Sequence, residues 1–130
     1  MVIDPVSNLI ISLKNASKVG LSTVVLPYSR MQSNILNTLK KEGYVEDYVE
    51  EGKDIKKNLE VTLKYEDGKP VINDVKRISK FSRRVYVGAK DIRSVKRGYG
   101  SSVISTPNGI VSGREAKKSN AGGEILFEIW

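Results

Sequence analysis

The chain has 130 residues, 39% of them apolar, enough for a buried core in one or two small domains. Its 22 basic and 15 acidic residues leave a net charge of +7, and it holds neither histidine nor cysteine. Those two absences remove the usual general base near neutral pH, disulfides and thiolate metal sites, so the expectation is a chain that is not an enzyme and needs no cofactor and no metal.

No run of 18 apolar residues occurs, and the start MVIDPVSNL has neither the basic opening nor the apolar run of a signal peptide. The expected setting is cytoplasmic, with no membrane.

In DPVSNLIISLKNASKV, Asp4 is placed to cap a helix, Pro5 suits its first turn, and Val6, Leu9, Ile10 and Leu13 recur at helical spacing up to Gly20. A strand is predicted over Ser22 to Leu26. Pro27 and Ser29 then precede a second helix carrying Met31, Ile35, Leu36 and Leu39 and ending at Gly43. From Tyr44 the period shifts toward two, cleanly at Leu59, Val61, Leu63 and Tyr65. EDGK marks a turn, with a further strand expected from Val71. YVEDYVEE alternates poorly, which points to a bulge or an edge. Glu46 and Asp47 are adjacent there and would face opposite ways, a poor start for a shared acid–base site.

The fold class expected is α+β, with an N-terminal α/β domain (two helices with a small sheet) over residues 1–77 and a C-terminal mostly β domain with one short helix over 78–130. ISKFSRR, residues 78 to 84, reads as the connection. The charge is uneven across this division. The first 65 residues hold 9 basic and 8 acidic residues, the rest 13 and 7, and between Lys76 and Arg97 nine basic residues face the single acid Asp91. Such a density attracts a polyanion, because each neutralised phosphate releases condensed counterions.

In RRVYV, Val85 and Val87 are expected to face a core, turning Arg84 and Tyr86 outward, where a ring can stack on bases or riboses while guanidiniums hold phosphate. SSVISTP reads as a strand ending in adjacent hydroxyls, and Asn108 and Gly109 in PNG tolerate positive φ. Ser112 and Glu115 form a capping-box pattern. The short helix it opens at Gly113 presents Arg114, Lys117 and Lys118 and ends at Asn120 and the Gly122-Gly123 pair. In the last strand Ile125, Phe127 and Ile129 are expected inside, with Glu124, Glu128 and Trp130 outside. Taken together, a turn, small hydroxyls and bare glycine backbone form a surface that can approach sugar edges and bases closely, and Glu124 can accept from 2′-OH and base amino groups. Structured RNA fits that surface better than duplex DNA. GYG at 98 to 100 lacks the remaining glycine and lysine of a phosphate loop.

DP near the start, LKNA, PYSR before the second helix, GY before an acidic strand, LKY, RVY, GYGSS, ISTxxG and AGGEI, in this order and spacing, closely resemble the small-subunit ribosomal protein family numbered eight over the whole chain. The resemblance implies a non-catalytic protein that binds the central domain of small-subunit ribosomal RNA and promotes its folding during assembly. It also implies neighbouring small-subunit ribosomal proteins as partners, a monomer when free, and a place in the cytoplasmic ribosome or an organellar one. The family's principal RNA surface maps onto Tyr86, Ser105, Thr106, Gly109, Gly122, Gly123 and Glu124, and Pro107 beside them is counted among the RNA-binding residues. Phosphate contacts are expected from Lys80, Arg83, Arg84, Lys117 and Lys118, and a second region from Asp4, Lys14, Asn15, Ser29 and Arg30. Two positions depart from the family pattern: Pro107 stands where many relatives carry another serine, and Asn120 where glycine is common. Two other readings remain open at this point, a regulatory binder of its own messenger RNA and a non-ribosomal nucleic-acid-binding architectural protein.

Overall fold

A computed structural model describes residues 4–130, which form two compact units, the first ending at Asn73 and the second running Asp74–Trp130. The first begins with a capped helix. The Asp4 carboxylate accepts the backbone N–H groups of Val6 and Ser7, both at 3.2 Å, and Pro5, which has no N–H to satisfy, opens α1 (Pro5–Val19). Val6, Leu9, Ile10, Leu13 and Ala16 are buried along one face. Beyond β1 (Thr23–Pro27), the Ser29 hydroxyl accepts the Gln32 N–H at 3.0 Å and starts α2 (Arg30–Lys41).

Met31, expected on the apolar side of α2, is exposed instead. The buried stripe is Gln32, Ile35, Leu36 and Leu39, whose i, i+3, i+4, i+7 spacing leaves Met31 one position off the face. The Gln32 amide donates to the Pro5 carbonyl at 2.9 Å, which ties α2 to the first turn of α1 and satisfies the buried polar group.

β2 (Val45–Glu51) and β1 both pair antiparallel with β3 (Asn58–Leu63), giving the order β1-β3-β2. Leu59, Val61 and Leu63 are buried on one face of it. The register slips between Val45 and Asp47, which is the irregularity foreshadowed by the poor alternation of YVEDYVEE. A tight hairpin follows, β4 (Tyr65–Glu66) and β5 (Lys69–Pro70), with Asp67 and Gly68 both at positive φ. The strand expected from Val71 does not form. Val71 donates back to Lys64 at 3.2 Å, Ile72 is buried, and pairing resumes only where Asp74 and Trp130 exchange backbone hydrogen bonds at 2.9 and 3.1 Å.

The second unit contains β6 (Val75–Arg77), β7 (Tyr86–Val87), β8 (Ser101–Thr106), β9 (Gly109–Ser112), α3 (Gly113–Lys118) and β10 (Gly123–Ile129). The sheet order is β6-β10-β8-β9, and β7 pairs with the start of β10. Because β6 is bonded to β10, residues 74–77 belong with this unit, and the division falls before the 77/78 boundary expected from sequence. Residues 78 to 84 are likewise no linker: Lys80 and Arg83 exchange backbone hydrogen bonds at 2.8 and 3.0 Å, closing a tight loop, and Ser79 is fully buried.

The last strand departs from simple alternation. Ile125 is opposite Ile104 while Phe127 is opposite Val103, so an irregularity at Leu126 switches parity. Ile125 joins the α3 side of the sheet, where Ile92, Ile104 and Ala116 form a cluster with Val87 and Val111. Phe127 and Ile129 therefore lie on the opposite face, and Leu126 is buried as well. Trp130, expected outside, is half-buried with the Lys96 ammonium 4.5 Å from its ring centroid.

Candidate RNA interface

β7, β10 and β8 bring Tyr86, Glu124 and Ser105 into one row, since Tyr86 is opposite Glu124 and Glu124 opposite Ser105. This row lies on the face away from α3. Tyr86 is 68% exposed. The Ser105 hydroxyl makes no hydrogen bond among the described residues and stays available to a ligand. Thr106 differs. It is nearly buried, its hydroxyl donating to the Gly109 carbonyl at 2.8 Å and accepting the Asn108 N–H at 3.2 Å. That hydroxyl shapes the turn; of the Asn108-Gly109 pair only Gly109 takes positive φ, at 123°. Pro107 and Gly109 are exposed at the tip.

Glu124 is held from two sides. The Ser79 hydroxyl donates to its Oε2 and also accepts the Val85 N–H at 3.1 Å, while Arg84 Nη1 donates to the same Oε2 at 3.1 Å. The Arg84 guanidinium also stands 5.0 Å from the Phe81 ring centroid. Arg84, expected to hold phosphate, has one guanidinium nitrogen on the Glu124 carboxylate while its side chain stays 42% exposed; Lys80 and Arg83 are the exposed cations of the 78–84 loop with no ion pair among the described residues.

Gly122 and Gly123 are required by close approach. A Cβ on Gly122 would meet the Val87 carbonyl oxygen and lie 2.9 Å from Gly88 Cα; one on Gly123 would meet the Ser105 carbonyl oxygen and lie 2.9 Å from its carbonyl carbon. The pair lets β10 enter between β7 and β8 with its backbone close to both. Asn120, the second departure from the family pattern, takes φ 55°, a conformation asparagine tolerates.

Lys117 and Lys118 do not join the row. α3 is capped by Ser112, whose hydroxyl accepts the Glu115 N–H at 3.2 Å, and packs on the other face, where Lys117 lines a cavity of about 180 Å³ with Arg93 and Arg114. In the first unit Asp4 and Ser29 serve as helix caps, Lys14 and Asn15 lie on α1, and Arg30 is exposed at the start of α2.

Sequence reasoning missed Ser79, because no local pattern links it to Glu124 45 positions later.

A shallow, cation-fringed row with an exposed ring and a free hydroxyl has the make-up of a polyanion-facing surface rather than of a catalytic cleft. The sequence model of the family described as Ribosomal protein S8 matches residues 4–130. The protein called Small ribosomal subunit protein uS8 in Nitrobacter hamburgensis is 46% identical over 128 residues, covering 98% of this chain and 97% of that one. Its namesake in Mycoplasmopsis agalactiae is 44% identical with the same shares covered, and that of Mycoplasma mobile is 42% identical over 130 residues, 100% and 98% of the two chains. The chain belongs to the ribosomal protein S8 family. That is a family of structural ribosomal proteins, in agreement with the non-catalytic reading of the sequence.

Proposed function

We propose that the chain is a structural protein of the small ribosomal subunit that binds the central domain of small-subunit ribosomal RNA and promotes its folding. It acts as a monomer when free and meets neighbouring small-subunit proteins in the cytoplasmic ribosome. The observation that carries this reading is the Tyr86-Glu124-Ser105 row, with Lys80 and Arg83 beside it and glycine backbone at its edge.

The parts divide the work by chemistry. Lys80 and Arg83 neutralise phosphates and set the orientation of the RNA without reading sequence. Tyr86 stacks on a base or ribose, and Ser105 exchanges hydrogen bonds with a 2′-OH or base edge. The Glu124 carboxylate keeps lone pairs free after Ser79 and Arg84 have fixed it, and accepts from a 2′-OH or a base amino group. In the first unit, Lys14, Asn15 and Arg30 contact RNA, while Asp4 and Ser29 act through the helix starts they cap.

Binding of the full chain to a fragment of that RNA, measured across a salt series, tests the division. Lys80→Ala lowers the dependence of log K on log salt by roughly one unit. Ser105→Ala leaves the slope and the fold stability unchanged and weakens binding by about 1 kcal/mol. Thr106→Ala loses about 1 kcal/mol of fold stability, because its hydroxyl is spent on the turn. Normal binding by both Ser105→Ala and Tyr86→Ala would remove the row from the interface.

A further inference from the structure

The first unit's sheet buries Leu59, Val61 and Leu63 on one face and leaves the other open. At the centre of the open face Val25 of β1 and Val49 of β2 both stand opposite Glu60 of β3. The valines are 59% and 46% exposed and Glu60 lies half-buried between them. Pro27 and Glu51 form the adjoining corners of the same face, both exposed.

An antiparallel sheet with one face in water ordinarily alternates apolar-in and polar-out. Here the centre of the outer face is apolar around one carboxylate. The acids nearby are treated differently: Asp47 is bonded to Lys40 and Glu50 to Lys57, each at 2.9 Å, and both carboxyls are held below the usual carboxylate range by those lysine hydrogen bonds. Glu51 and Glu60 have no ion pair among the described residues. Charges on an edge strand such as β2 discourage strand addition, which accounts for Glu51. It does not account for Glu60, which sits on the central strand.

We infer that this face docks a basic protein segment, an arginine or lysine of which seats on Glu60 between Val25 and Val49 while Glu51 takes a second cation. RNA is disfavoured there by like charge. A second copy of the chain is disfavoured because its basic surface belongs to the second unit, which the proposed function gives to RNA. Apolar flanks that exclude water strengthen a cation–carboxylate contact and supply the buried area that a bare acidic patch lacks. The inference rests on the reading that the chain works inside a ribonucleoprotein particle.

The test places a photo-reactive benzoylphenylalanine at Val25 or at Val49 in the full chain, lets cells assemble it into small ribosomal subunits, and identifies the products of irradiation by mass spectrometry. Both positions are expected to join one protein segment carrying arginine or lysine beside the cross-link. Combining Glu60→Lys with Glu51→Lys should lower the yield ~10-fold or more, since like charges facing each other across an interface cost several kcal/mol. Cross-links to ribosomal RNA, to a second copy or to a segment without basic residues, no cross-link in assembled subunits, or a yield indifferent to charge reversal would each overturn it. Absence of the unsubstituted chain from the subunits would overturn the proposed function, and the inference with it; presence with the face uncovered would overturn the inference alone.

Discussion

Gly123→Ala destabilises the second unit by about 3 kcal/mol, the upper range for forcing extra atoms into packed structure. The new Cβ has nowhere to go: it meets the Ser105 carbonyl oxygen and lies 3.1 Å from Thr106 Cα, both on the backbone of β8, which cannot rotate aside as a side chain would. β10 has to separate from β8 at the place where Glu124 and Ser105 are paired, so RNA affinity falls with stability. The chain's one tryptophan, Trp130, belongs to the second unit, and its fluorescence during urea unfolding reports the loss there. Gly88→Ala is the control. Its backbone is extended at φ −78°, and the nearest atom to a new Cβ is Asp91 Oδ2 at 3.7 Å, so a change within about 0.5 kcal/mol is expected.

Ser79→Ala removes no more than one oxygen yet is expected to cost about 2 kcal/mol, because the Val85 N–H is left without its partner and Glu124 with a single donor. The loss reaches the interface. With only Arg84 holding it, the carboxylate turns away from the row and RNA binding weakens, although Ser79 itself is fully buried and touches no ligand. A double-mutant cycle with Glu124→Gln isolates the connection; its coupling free energy in stability should be at least about 0.5 kcal/mol, the size expected for residues in one hydrogen-bond network. Additive effects of the two changes would show that Ser79 supports only the local chain.

What could be read from the sequence was what depends on neighbours in the chain. The Asp4-Pro5 start of α1, the Ser29 cap and the Ser112-Glu115 cap are local arrangements, and each formed where its residues stand. The Tyr86 and Arg84 sides of RRVYV follow from strand alternation alone. Ile125 shows where this stops: the parity switch at Leu126 is created by pairing with β8, and no feature of GEILFEI announces it. The same limit applied to the site. Residue types in ISTPNG pointed to two available hydroxyls, whereas the turn consumes that of Thr106 and leaves that of Ser105. Nothing local in SRR shows that Arg84 also reaches a glutamate 40 positions away. Local rules place side chains on a face; only the assembled sheet decides which polar groups are already spent.

Hydroxyl-radical footprinting of the full chain, free and bound to the central domain of small-subunit ribosomal RNA, shows whether the Tyr86-Glu124-Ser105 row meets RNA. Strong protection of Tyr86 is expected, with Pro107 and Lys80 protected beside it, while Val25 and Val49 keep their free-state reactivity in the binary complex. Undiminished reactivity of Tyr86 and Pro107 in a saturated complex, with protection gathered on another face, would contradict it.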